Sequence, residues 1–136
     1  MFKRKKGNKY NAKKIEVGGI IFDSKREAER WLFLKEAEEK GLISNLKRQV
    51  PFELIPKITE KVVKHLKTKD KIEERTVQLA TVYVADFYYE KDFQFVVEDL
   101  KISPKLIPAD FRLKEKLFRY KYGYSIKRVY KPTEPI

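Results

Sequence analysis

The stretch from Tyr83 to Lys101, Y-V-A-D-F-Y-Y-E-K-D-F-Q-F-V-V-E-D-L-K, constrains the fold more than any other part of the chain. Two runs rich in β-branched and aromatic residues, Tyr83 to Tyr89 and Phe93 to Val97, flank Glu90-Lys91-Asp92, the pattern of two strands joined by a polar turn. Side chains alternate faces along a strand, so Asp99 and Lys101 point one way while Glu98 and Leu100 point the other. Paired as a hairpin, the first strand can carry Asp86 across from Asp99 and Lys101. Two carboxylates and an amine at one end of an apolar sheet are expensive to desolvate, and proteins keep such groups for a metal, a reaction or an ion pair.

Charge narrows the choice. Against 20 Asp and Glu stand 32 Lys and Arg, a formal net charge of +12, in a chain of 136 residues that is long enough for one domain with a real core. Such an excess favours a polyanionic partner, nucleic acid first, because neutralising phosphates releases counterions. A membrane surface ranks second, yet no apolar run approaches the length of a spanning helix and no signal peptide is visible. With no cysteine and a single histidine, His65, thiolate chemistry is excluded and histidine chemistry nearly so. Carboxylates, lysines and hydroxyls remain, and carboxylates suit Mg²⁺ or Mn²⁺.

The rest of the chain reads as a mixture of helices and strands. Residues 1–13 form a basic arm in which Lys3, Arg4, Lys5, Lys6 and Lys13 can follow a phosphate backbone; the alternative is a solubilising tail. Residues 14–22 pattern as a short hairpin turning at Gly18-Gly19. Ser24 and Glu27 make a capping box for a helix ending at Gly41, with Ala28, Trp31, Leu32 and Lys35 at helical spacing and Phe33 and Leu34 widening the stripe. Glu27 is either a cap residue alone or a carboxylate that reaches the Asp86 and Asp99 cluster. Val50, Phe52 and Leu54 alternate as in a strand, and Pro51 puts that strand at an edge; Gln49 just before it reads first as a surface amide. Residues 57–78 pattern as a charged hairpin turning at 67–70, with a helix over 59–66 as the competing reading. A second helix spans 109–122 with Leu113, Leu117 and Tyr120 as its buried stripe, then a strand at 124–130 and a tail at 132–136. Between 112 and 131, Arg112, Lys114, Lys116, Arg119, Lys121, Lys127, Arg128 and Lys131 stand against Glu115 alone. Arg112, Lys116, Arg119 and Lys121 are the DNA-contact candidates there; a merely solvated face is the bland alternative.

Beside phosphates, Asp86 and Asp99 could hold one or two divalent ions, and Lys101 could orient water or stabilise developing charge, a set suited to phosphodiester hydrolysis. The plain alternative is a salt bridge of Lys101 with one aspartate.

The order of a helix Glu, a strand Asp, a D-x-K strand, a basic helix and a closing strand resembles the PD-(D/E)XK nuclease superfamily, with Ala85-Asp86 in place of Pro-Asp and Asp99-Leu100-Lys101 as the second motif. More closely, K-Y-N-A-K-K-I-E-V at 9–17, F-D-S-K-R-E-A-E-R at 22–30, F-E-L-I-P at 52–56, Y-V-A-D-F-Y-Y at 83–89 and V-E-D-L-K at 97–101 resemble small phage-encoded nucleases regarded as Holliday junction resolvase-like. The resemblance implies an α/β (α+β) fold, a central mixed β-sheet flanked by helices with an αβββαβ restriction-endonuclease-like core and an N-terminal hairpin, forming one nuclease domain over 14–131. It makes Glu27, Asp86 and Asp99 metal ligands for one or two Mg²⁺ or Mn²⁺ ions and Lys101 the motif lysine. Gln49 becomes an auxiliary residue, and Glu98 joins it if a bulge turns it into the site. The expected activity is a metal-dependent DNA endonuclease on four-way or branched DNA, in the cytoplasm of an infected host. Symmetric junction cleavage needs two sites and hence a homodimer. A general structure-specific or double-stranded DNA nuclease and a non-catalytic nucleic-acid-binding protein are the alternatives.

Overall fold

Ser24 starts the first helix: its extended backbone leaves the helical path while its hydroxyl accepts a 3.2 Å hydrogen bond from the Glu27 amide. This geometry comes from a computed structural model that describes residues 13–136. The helix, α1, covers Lys25–Glu39. It ends where Gly41, at φ +74, turns the chain so that the Leu42 amide bonds back to the Ala37 carbonyl (2.9 Å), a closure that suits glycine because the backbone is left-handed. Before it lie β1 (Ile15–Val17) and β2 (Ile20–Phe22), an antiparallel pair closed by Gly18 and Gly19, both at positive φ.

After α1 come β3 (Ser44–Ile55), β4 (Ile58–His65), β5 (Asp70–Gln78), β6 (Thr81–Lys91), β7 (Gln94–Leu100), α2 (Ala109–Tyr122) and β8 (Lys127–Val129). The fold is mixed α/β, with two helices and a central mixed sheet in the order β3-β6-β7-β8. Strands β6 and β7 run antiparallel, while β7 and β8 are parallel, as a strand returning through a helix requires. Strand β3 lies at the sheet edge, where Pro51 leaves no interior ladder bond unmade. Strands β4 and β5 form a separate antiparallel ribbon, so residues 59–66 are strand and not helix. Set that ribbon and the first hairpin aside, and the order from α1 onward is α, three strands, α, strand.

The described residues fall into two compact units. One comprises the chain up to Val50 with Ala85–Ile107 and Ile126–Ile136; the other comprises Pro51–Val84 with Pro108–Ser125. In the first, Leu34, Ala37, Ile43, Phe87 and Tyr89 are buried together, with Trp31, Leu46, Val96 and Ile136 against them. In the second, the Phe118 ring centre lies 5.2 Å from Phe52, 6.0 Å from Tyr83, 4.9 Å from Tyr122 and 5.1 Å from Tyr124.

Four details differ from the expectations. The hairpin turn is Asp92-Phe93, both at positive φ, and Glu90 and Lys91 still belong to the strand, because a two-residue turn with left-handed backbone matches strand twist. Leu32 is exposed and α1 buries Arg30 instead, because a buried carboxylate faces it. Helix α2 buries Phe111 and Phe118 and exposes Leu113 and Tyr120, since the aromatic cluster decides which face turns inward. Residues 132–136 are held against the first unit: Pro132 and Glu134 carbonyls accept from Arg30, and the Ile136 carbonyl accepts from Lys91 Nζ at 2.9 Å.

Candidate active site

The hairpin register puts Phe87 opposite Glu98, and the strand period then sets Asp86 beside Asp99 on the other face. Asp86 Oδ2 accepts a 2.8 Å hydrogen bond from the Leu100 amide, which ties the first strand's carboxylate to the D-x-K segment of the second. Lys101 Nζ lies 2.6 Å from Asp99 Oδ1, with both side chains largely buried. From α1, Glu27 is close enough to feel the charge of Asp99 and to raise the proton affinity of Asp86. The fold therefore brings Asp86, Asp99 and Lys101 together, with Glu27 in the same unit and within electrostatic reach.

Electrostatics mark this cluster as strained by like charge. Burial, then the Asp99 carboxylate, then Glu27 push the Asp86 carboxyl up from 3.8 to about 7, against the Leu100 amide and the Lys101 ammonium, which pull it down. Burial foremost, with Asp23 and Asp99 adding to it, also raises Glu27, and the Arg48 guanidinium opposes that rise. Carboxylates pressed together in this way suit a hard cation, and Mg²⁺ commonly takes one or two protein carboxylates while water and substrate phosphates complete its coordination. The oxygen donors of Asp86 and Asp99 fit that requirement by chemistry. Among the described residues no three or more His, Cys, Asp or Glu side chains lie grouped so that they could hold a metal ion together, which leaves the Asp86 and Asp99 pair as the candidate donors.

Glu98 takes a different part. No shift in pairing interrupts β7 at this residue, and its side chain enters the core, where its two oxygens accept from Arg30 Nε (2.9 Å) and Nη2 (2.6 Å) and from Tyr89 Oη (2.5 Å). Both partners of the Arg30–Glu98 pair are fully buried. Gln49 sits exposed in β3 at φ 53, and among the described residues no hydrogen bond joins it to the carboxylates. Lys13 is exposed, as are Arg112, Lys116, Arg119 and Lys121 on α2; Arg119 donates to Ser125 Oγ (2.9 Å) and Lys121 lies 3.5 Å from Glu53. Lys3, Arg4, Lys5 and Lys6 lie outside the described residues.

Two arginines near the cluster escaped the sequence reading. Arg26 donates to the carbonyls of Lys101 (3.2 Å) and Tyr130, locking the end of the D-x-K strand to α1. Arg48 stacks its guanidinium 4.7 Å from the Phe22 ring centre, acts on Glu27, and has a buried Nε that meets no acceptor among the described residues. A guanidinium so placed is a ready donor to phosphate oxygens. Arg26 was legible in principle, since it sits one residue before Glu27 on the same first turn; Arg48 carried no local signal.

No protein of curated function and no solved structure is detectably similar to the chain. Residues 7–131 match the family described as "Protein of unknown function (DUF1064)", and the chain belongs to that family.

Proposed function

We propose that the chain is a metal-dependent DNA endonuclease, acting on branched DNA as a Holliday junction resolvase and working as a homodimer. The observation that supports it is the half-buried Asp86 carboxylate set beside Asp99 with Lys101 in contact, in a chain of net charge +12. Asp86 and Asp99, with Glu27 in reserve, would hold Mg²⁺ or Mn²⁺, which supplies electrostatic stabilisation to a phosphodiester under attack. Lys101 would orient water or stabilise developing charge beside the reacting phosphate. Arg26 fixes the strand end that carries Lys101, and Arg48 offers its guanidinium to a phosphate oxygen. The exposed lysines and arginines of α2 bind DNA backbone in the same proposal. The resemblance to phage nucleases puts its working compartment in the host cytoplasm. Among the described residues no helix is long and apolar enough to cross a membrane.

The test compares wild type with Asp86→Asn on a labelled four-way junction and a matched linear duplex, with Mg²⁺, Mn²⁺ or chelator. Paired symmetric nicks on the junction alone, lost in the variant and in chelator, are the expected result. Equal cutting of both substrates replaces the resolvase with a general nuclease, and a species that stays monomeric on junction DNA removes the dimer. A second reading, a non-catalytic nucleic-acid-binding protein, draws on the close Lys101–Asp99 contact, which on its own is a sufficient structural ion pair. Tight binding without cleavage under any metal condition would select it.

A further inference from the structure

The face of the β6–β7 hairpin that carries Asp86 and Asp99 does not end at the carboxylates. Tyr88 pairs with Val97 and Glu90 with Phe95, so Tyr88 and Phe95 project from that same face toward the turn. Their rings lie 6.2 Å apart between centres, inclined by only 29°. Phe95 is 58% exposed, an unusual state for a phenylalanine in a strand one residue pair from a fully buried valine, Val97. Lys47 of β3 sits 5.8 Å from the Tyr88 ring centre. Glu90, which shares the patch, is engaged by Tyr88 Oη (3.1 Å) and Asn45 Nδ2 (2.5 Å). Phe95 is about 13 Å along the strand from Asp99, at about 3.3 Å per residue.

We propose that Phe95, braced by the Tyr88 ring on which the Lys47 ammonium sits, is a stacking platform for an unpaired DNA base in a strand whose backbone continues to the Asp86 and Asp99 site. The claim rests on the nucleic-acid reading above and deepens it: the substrate must present an unstacked base next to the scissile region. Three observations choose the occupant. An aromatic ring on an open sheet surface accepts any base by its π face. The Lys47 ammonium over the neighbouring Tyr88 ring can pair with a phosphate, and the chain's charge of +12 favours a polyanion. Phe95 and the carboxylates occupy one face of one hairpin, with the buried Val97 between them. An ordered duplex, whose bases stay stacked, has no ring to offer this surface.

The test is direct binding in chelator, so that cleavage plays no part. The probe is a gapped DNA duplex with 2-aminopurine at the unpaired position, read by fluorescence and by anisotropy, beside a fully paired duplex and an RNA strand of the same sequence. Wild type is expected to quench the 2-aminopurine. Phe95→Leu should lose the quench and roughly tenfold in affinity for gapped DNA, with a smaller change on paired duplex, while Phe95→Trp restores both signals. Thermal melting of each variant separates a folding defect from a lost contact, and Phe95→Trp gives a second route if Phe95→Leu unfolds. Equal losses on gapped and paired DNA, or gapped DNA bound without any quench, would overturn the platform. RNA bound and quenched as strongly as DNA would overturn the assignment to DNA. Absence of wild-type cleavage under every metal condition of the earlier assay, with the quench intact, would sink the nuclease reading and leave this one standing, whereas no binding to any nucleic acid would sink both.

Discussion

Asp86 accepts the amide hydrogen of Leu100, the residue between Asp99 and Lys101, so one 2.8 Å bond registers the three candidate side chains of the hairpin against each other. Burial, with the Asp99 carboxylate adding to it, outweighs this bond and keeps Asp86 protonated to higher pH than in the unfolded chain, where an aspartate titrates near 3.8. Between about pH 4 and 7 the folded protein therefore holds a proton that the unfolded one has released. The stability from that proton is fully present below the unfolded value and is lost as pH rises through about 7. The expected outcome is that Asp86→Asn, which cannot ionise, is more stable than wild type at pH 8 and similar to it at pH 4. The rise from 3.8 to about 7 caps the difference at ~4 kcal/mol, with each tenfold in proton affinity counting about 1.4 kcal/mol. Urea melts of both proteins at the two pH values check it; a wild type that gains stability relative to the variant on going from pH 4 to 8 would contradict it.

A divalent ion should relieve the same repulsion. Millimolar Mn²⁺ at pH 8 is expected to raise the melting temperature of wild type by mass action and to leave Asp86→Asn nearly unmoved. Differential scanning calorimetry with and without metal reads this without any substrate. Identical shifts in the two proteins would mean that the ion binds elsewhere.

Lys101 is expected to matter to rate and little to fold. Its ammonium neutralises Asp99 at 2.6 Å, so Lys101→Met leaves an aspartate without that partner, yet the strand end stays pinned through the Lys101 carbonyl to Arg26. Cleavage should fall by about 10²–10³-fold, the range for loss of one charge-stabilising group, with DNA affinity retained. Parallel nicking and anisotropy assays decide; a proportional loss of both would make Lys101 a binding residue.

Removing one half of the buried Arg30–Glu98 pair should be costly. Arg30→Ala strands a fully buried carboxylate and leaves the Pro132 and Glu134 carbonyls without their donor, and a loss of about 3–5 kcal/mol is expected. The double variant Arg30→Met with Glu98→Leu should regain much of that, because no charge is left in the core. Chemical denaturation of both variants tests the pair. A double variant no better than the single would show that the bonds to Tyr89 and the C-terminal segment, and not the stranded charge, carry the cost.

The turn at Asp92-Phe93 holds two residues with side chains in left-handed backbone, φ 49 and 62, and Phe93 is fully exposed. Replacing the pair by Asn-Gly, the sequence best suited to such a turn, should stabilise the hairpin by about 1 kcal/mol. A melting temperature that does not rise would mean the phenylalanine makes a compensating contact.

The sequence by itself determined the local elements and the candidate residues. Alternation placed Asp99 and Lys101 on one face and Glu98 on the other, the Gly18-Gly19 and Gly41 positions marked a turn and a helix end, and Ser24 marked a helix start. These are short-range matters, settled by backbone sterics and by the two-residue period of a strand. Only the tertiary structure decided which long-range partners meet. Nothing near Arg30 announces a carboxylate 68 residues away, so a helix stripe read from hydropathy chose Leu32 over the buried arginine. The closing residues 132–136 read as a tail because their contacts are backbone carbonyls, which carry no residue identity, accepting from Arg30 and Lys91. Arg48 acts on Glu27 for the same kind of reason: although β3 follows α1 directly, which side chains of the two elements meet depends on packing that no local pattern encodes.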